Sequence, residues 1–189
     1  MDWKLIIAII ASIITIVAYI AYFKDVFAKK TKPHLFTWLI WGITQGTAAT
    51  ALLYGGGKFG SASLIIGTIL VFVIFLLSFK YGTRDITRSD KLILLLALLS
   101  IIIWWQLDSP LIAVLMISAI DGVGYIPTIR KTFKDHRSET LSFWVAMALV
   151  NCLALISIAE YNLLTVTYLL TLLVGNIFVS SLCVLKINK

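Results

Sequence analysis

Seven long apolar runs, separated by short polar segments, occupy almost the whole chain. They are Leu5–Phe23, Leu35–Tyr54, Ser61–Phe79, Leu92–Leu107, Leu111–Ile129, Leu141–Ala159 and Leu163–Leu185. None shows the strict alternation of a half-buried strand. Most approach the roughly 20 residues that a helix needs to cross a hydrocarbon layer, and Leu92–Leu107 is the shortest. Helices are predicted for all seven, because backbone polar groups in lipid must be satisfied within their own segment. The first run is too long for a signal-peptide core and lacks a small-x-small cleavage pattern, so it is expected to be a retained span.

Charge changes the picture by giving it a direction. Lys24, Lys29, Lys30 and Lys32 follow the first run, and Lys80, Arg84, Arg88 and Lys91 follow the third. Arg130, Lys131, Lys134 and Arg137 follow the fifth, and Lys186 and Lys189 follow the seventh. The other side of the layer carries only Lys4 and Lys58. Basic loops stay in the cytoplasm, so the N-terminus is expected outside and the C-terminus inside, in a plasma (inner) membrane. The net charge of +7 is thereby explained by topology, and no nucleic-acid partner is expected. Hydrophobic residues make up 60% of the 189 residues and charged residues 13%. That composition excludes disorder, a disulfide scaffold and an ordinary soluble domain. Cys152 and Cys183 lie inside apolar runs, far from His34 and His136, and no metal or cofactor site can be assembled from them.

Shifting the chain by 106 residues lays the first run on the fifth. Ser12, Val17, Tyr19, Ile20, Phe27, Leu35 and Trp38 then meet Ser118, Val123, Tyr125, Ile126, Phe133, Leu141 and Trp144. Lys24 meets Arg130, and Gln45 meets Asn151. The expected organisation is a first three-helix repeat over 1–82, a cytoplasmic loop and linker helix over 83–108, and a second three-helix repeat over 109–189. The fold class is an all-α membrane protein, with seven transmembrane helices as two parallel three-helix repeats joined by a linker helix (3+1+3). Parallel repeats are related by an axis along the membrane normal, and transporters built this way hold their solute near the midplane.

Candidate chemistry concentrates in the polar residues of the apolar runs. Asp121 lies about ten residues into the fifth, where an acid costs roughly 2.5–3.5 kcal/mol on insertion scales. Ser118, Asp121, Tyr125 and Thr128 form one helical stripe, matched by Ser12, Thr15, Tyr19 and Tyr22 in the first run. Both stripes are expected to face the interior, either as a hydrogen-bond network between helices or as a solute or proton site. Gln45, Asn151 and Asn176 offer both donors and acceptors to a neutral polyhydroxylated or zwitterionic solute, and equally serve as contacts between helices. Pro127, after Gly122 and Gly124, is a candidate hinge. Gly55-Gly56-Gly57 is expected to be a flexible outer loop, since no phosphate-binding pattern follows it. No GxSxG, HExxH or paired-carboxylate arrangement occurs, and an enzyme is not expected.

Tyr125-Ile126-Pro127-Thr128 with Arg130-Lys131, followed by Arg137-Ser138-Glu139-Thr140-Leu141-Ser142-Phe143-Trp144, resembles the turn, basic loop and helix entry of the PQ-loop family, which includes the SWEET and SemiSWEET sugar transporters. Tyr19-Ile20-Ala21-Tyr22 through His34-Leu35 is a degenerate copy, and Tyr54-Gly55 is similar to the dipeptide that closes the second helix. Tyr22 and Thr128 stand where the family has glutamine. The resemblance implies a small-solute transporter working by alternating access, with Asp121, Asn176, Asn151, Gln45, Thr68, Tyr125, Tyr19 and Ser118 around the solute. Asn176 takes the place of the family's substrate-facing asparagine, with Thr68 as its counterpart. Ala51 and Ser157 stand about where sugar transporters carry a pocket tryptophan, which implies a pocket without that stacking ring. Proton coupling through Asp121 is expected. The alternative of the same fold is a receptor or assembly factor that binds a peptide, lipid or partner protein. The expected partners are the small-molecule solute and the lipid bilayer, and a homo-oligomer is compatible.

Overall fold

A computed structural model of the chain describes residues 2–29, 33–82, 86–134 and 141–185, the side chains at 126–128, 130, 131 and 134 excepted. Among these residues there are seven α-helices and no strand. They are α1 (Trp3–Phe27), α2 (Leu35–Tyr54), α3 (Ala62–Tyr81), α4 (Arg88–Leu107), α5 (Pro110–Lys134), α6 (Leu141–Ser157) and α7 (Leu163–Val184). A short 3-10 turn, Lys58–Ser61, leads into α3. Every apolar run is a helix. Several helices outrun the apolar stretch at their charged end, as α1 does through Lys24 and Asp25. Long charged side chains there can reach water while their stems stay on apolar surface.

The helix starts are written locally. Asp2 accepts from Lys4 N at 3.0 Å and caps α1. Thr87 and Asp90 form a reciprocal capping box on α4, and Asn162 with Thr165 does the same on α7. Pro110 opens α5, where its missing N–H is no loss.

Four helical segments are long and apolar enough to cross a membrane: α1, the turn with α3 (Lys58–Tyr81), α4 and α7. Seven spans were expected. The described apolar part of α5 stops at Tyr125, and α6 is a shorter apolar helix. In α2 the length suffices, but four threonines and Gln45 dilute the hydropathy. These three helices carry most of the polar interior described below.

Burial is arranged inside out. On α1 the outward residues are Ile9, Ile10, Ile13, Ile16, Val17 and Ile20, with Val17 61% exposed. Its buried face is Ala8, Ala11, Ser12, Thr15, Ala18 and Tyr19. Small residues let helix backbones approach, which is how apolar helices associate where lipid removes the hydrophobic drive between them. Buried hydroxyls mostly return to their own helix: Ser12 donates to Ala8 O at 2.7 Å and Thr15 to Ala11 O at 2.9 Å.

α3 packs against both α1 and α2, and α7 against both α5 and α6. The two groups meet where α1 lies on α6 and α2 on α5. α4 packs on α2 and α5, and only Ala97 and Ser100 of it are buried.

The Gly55-Gly56-Gly57 loop is not the slack connection expected. It is packed into the opposite group. Asn162 donates from Nδ2 to Gly55 O at 2.7 Å, and Ala159 N donates to Gly57 O at 3.3 Å. Gly56 has φ +85°, and a β-carbon there would lie 2.7 Å from Glu160 Oε2. Lys4 Nζ donates to Ile158 O at 2.5 Å, placing a cation on the open carbonyls at the end of α6. This end of the bundle is tightly joined.

The joint makes a prediction with two signs. A β-carbon on Gly60 would lie 2.7 Å from Ile158 Cγ1 and 3.0 Å from its Cα, whereas one on Gly46 meets only Thr68 Cγ2 at 3.7 Å. Gly60→Ala is expected to destabilise by about 1–3 kcal/mol through overpacking. Gly46→Ala is expected to be neutral or to stabilise by up to about 1 kcal/mol, since alanine is the better helix former. Thermal unfolding in detergent measures both.

Candidate functional site

A cavity of about 90 Å³ lies between the two groups of helices. Its level is set by the order of residues along each helix. On α2, Trp38, Trp41 and Gln45 line it, while Ala48 and Leu52 further on belong to an apolar plug. On α6, Trp144, Met147 and Asn151 line it, and Ala154 and Ile158 join the plug. On α7, which runs the other way, Leu169 is in the plug and Leu172 and Asn176 line the cavity. The plug thus stands between the cavity and the glycine loop. On the opposite side Tyr19 and Trp38 pack with Val71 and Ile74 in a second buried cluster.

The lining is paired. Thr15 and Asp121, Tyr19 and Tyr125, Trp38 and Trp144, Trp41 and Met147, and Gln45 and Asn151 all line the cavity, each pair 106 residues apart. The offset seen in the sequence is therefore also an offset between positions around one space.

Asp121 is 2% exposed and lies on the cavity wall. Tyr168 Oη, from α7, donates to its Oδ2. Its Oδ1 has no hydrogen-bond partner among the described residues. Thr44 lies close enough to share in this group. No lysine, arginine or histidine is among the described residues lining the cavity, so among them the acid has no counter-charge. Four residues along, Tyr125 Oη donates to Asn176 Oδ1 at 3.3 Å and to Leu172 O at 3.4 Å. Gly175 makes room for that ring, since a β-carbon there would lie 2.5 Å from Tyr125 Cζ. Asn151 Nδ2 donates to Met147 O at 2.7 Å, which leaves its carbonyl oxygen available.

Of the residues predicted around a solute, Asp121, Tyr125, Asn176, Asn151, Gln45 and Tyr19 are brought together on this cavity. Two are placed elsewhere. Thr68 donates to Leu64 O at 2.8 Å and packs toward Gly46, because α3 turns Ser63, Leu64 and Gly67 to the cavity instead. Ser118 is buried but lies outside the lining, and its hydroxyl has no partner among the described residues. Pro127 lies within α5, but its side chain, like that of Thr128, is outside the described residues, and so is the hinge expectation.

The sequence reading missed Tyr168 and the aromatic wall. Tyr168 stands one and two helical steps before Leu172 and Asn176, on the same face, and that spacing was the available signal. Ala51 is buried and Ser157 donates to Ala154 O at 2.9 Å, so neither position faces the cavity. Rings reach it from other places: Tyr19 and Phe143 meet at 6.1 Å and 78°, Trp38 and Trp41 at 5.2 Å and 83°, and Tyr125 and Trp144 at 6.0 Å and 57°.

No family model, no curated protein and no solved structure matches the chain.

The Asp121–Tyr168 bond crosses between α5 and α7 and sets an expectation for stability. Tyr168→Phe leaves the carboxylate without its donor and is expected to cost about 1.5–3 kcal/mol. In the Asp121→Asn background the same change is expected to cost much less. A double-mutant cycle by thermal unfolding in detergent reads that coupling.

Proposed function

We propose that the protein is a small-solute transporter of the membrane, built as two three-helix units joined by α4, which binds its solute in the central cavity and exposes it alternately to the two sides. The observation that carries this reading is the paired lining of the cavity, with Asp121 alone breaking the pairing by charge. The helix contacts support the two-unit description. Exchanging α1 with α5, α2 with α6 and α3 with α7 maps the packing of α1 on α3 onto that of α5 on α7, and the packing of α1 on α6 onto that of α5 on α2. The resemblance to the PQ-loop family agrees with that arrangement.

The ends of the bundle support alternation. One end is held by the glycine-loop joint and the apolar plug. At the other, the described contacts are between side chains, with Tyr22 and Phe143 at 6.2 Å and Tyr22 and Trp38 at 5.1 Å. Loosening one closure while keeping the other would move access from side to side without moving the site. The distribution of basic residues supports placing the aromatic end in the cytoplasm and the glycine loop outside.

The direct test is flux into proteoliposomes with panels of sugars, amino acids and amines. Saturable, stereo- or charge-selective uptake is expected. Folded protein that moves none of them, while binding a peptide or partner protein through its basic loops, would replace this reading with that of a receptor. Orientation is checked by single cysteines in a background lacking Cys152 and Cys183. Lys58→Cys is expected to react from outside intact cells, and Lys29→Cys only after permeabilisation.

Asp121 makes the coupling measurable. Asp121→Asn is expected to abolish accumulation driven by a pH gradient while leaving solute exchange at solute concentrations that saturate the variant. Undiminished accumulation by the variant would place coupling elsewhere.

A further inference from the structure

Resting on the reading of the cavity as the solute site, the geometry points to the chemical class of that solute: a small organic ammonium ion, held among the aromatic rings with Asp121 as its counter-charge.

Three features of the cavity combine in this. The first is the uncompensated acid. Asp121 is 2% exposed, its Oδ1 has no partner among the described residues, and none of the lining residues carries positive charge. A buried charge is held in proteins by an opposite charge or by protonation. The titratable groups facing Asp121 are Tyr168 from α7, Tyr125 from α5 and Tyr19 from α1. None of these is a cation, so among the described residues the acid is left to a proton or to a cationic solute, and the aromatic wall selects the second.

The second is the wall. Tyr19, Trp38, Trp41, Tyr125, Phe143 and Trp144 all line the same space. Their mutual angles of 57° to 85° set neighbouring rings at different inclinations, which presents ring faces to a guest from several sides. The negative faces of such rings attract an ammonium, by about 0.5–2 kcal/mol per contact. They do nothing comparable for a hard metal ion, which asks for about six or more oxygen ligands. No group of three or more His, Cys, Asp or Glu occurs among the described residues.

The third is size. The cavity of about 90 Å³ has room for about three waters. A small methylated ammonium is closer to that size than a hexose is. Gln45, the Asn151 carbonyl and Asn176 then stand ready for one polar substituent on the ion, such as a hydroxyl or a carboxylate.

The experiment uses the full chain in detergent and in liposomes, with tetramethylammonium and choline as probes. Sodium at equal ionic strength controls for salt, and dimethylbutanol, the neutral carbon isostere of choline, controls for shape. Binding is read by tryptophan fluorescence and by the shift of the thermal midpoint. Saturable responses to both cations are expected, at least about tenfold weaker for the isostere and absent for sodium. Asp121→Asn is expected to weaken choline at least about tenfold. Trp41→Leu should weaken it about threefold or more, with Trp41→Phe restoring most of the loss, in keeping with the ring contribution. Equal binding of choline and its isostere to the unaltered protein would overturn the assignment, whether or not the variants fold. Flux of a sugar or neutral amino acid without ammonium binding would overturn it too, and would leave the transporter reading standing. Ammonium binding without flux of any solute would sustain the assignment and remove the transporter reading.

Discussion

A carboxyl group buried at the meeting of α5, α7 and α2 sets the terms for the rest of this protein. Placing an acid in the middle of an apolar bundle costs about 2.5–3.5 kcal/mol on insertion scales. One hydrogen bond to a charged group returns about 1.5–3 kcal/mol. The donor from Tyr168 therefore roughly balances the penalty and leaves no surplus. Asp121 adds nothing to stability that a well-packed apolar residue would not supply, and such replacements are often neutral or favourable. What the acid does add is an unpaired oxygen: Oδ1 is buried without a hydrogen-bond partner among the described residues, close to the amides and tyrosines that line the cavity.

The two groups of helices enclose that site with nearly equivalent surfaces and then depart from equivalence where it matters. Trp38 answers Trp144, Tyr19 answers Tyr125, and Gln45 answers Asn151. Thr15 answers Asp121 and spends its proton on Ala11 O of its own helix. One half thus contributes a satisfied hydroxyl, and the other contributes charge. The ends differ in the same way. Backbone atoms make the joint at the glycine loop, through Gly55 O, Gly57 O and Ile158 O. Among the described residues, ring contacts such as Tyr22 with Phe143 and with Trp38 lie at the far end.

Sequence and structure agree where local chemistry decides. Apolar runs gave the helices, and the 106-residue offset reappeared as paired lining. They part where neighbours decide. Thr68 looked like a counterpart to Asn176, but helical rotation by one residue carries its side chain from the cavity to Gly46. The glycine triplet looked slack because its composition is, yet Gly55 and Gly56 are glycine so that the segment 160–165 can press against them. Ala51 and Ser157 suggested a pocket poor in rings. The rings lie nearer the basic end of α2 and α6, and a one-dimensional alignment of levels along tilted helices does not place them. Tyr168 escaped notice because a tyrosine among leucines is unremarkable until its hydroxyl has a carboxylate beside it.

The helices outside the four apolar spans, α2, α5 and α6, are also those that bring Gln45, Trp41, Asp121, Tyr125 and Asn151 to the cavity. Their polarity is the site's polarity. Each would be costly to place alone in lipid, and each is relieved only when its partner covers the polar face, α2 by α5 and α6 by α1. The strongly apolar α3 and α7 pack beside them, α3 on α2 and α7 on α5 and α6, and α4 presents a largely apolar exterior. Assembly of the bundle and assembly of the site are therefore one event. A substitution in the cavity has to be judged on stability and on the shape of the cavity together, because the same hydrogen bonds that cross between helices also position the polar groups on its wall.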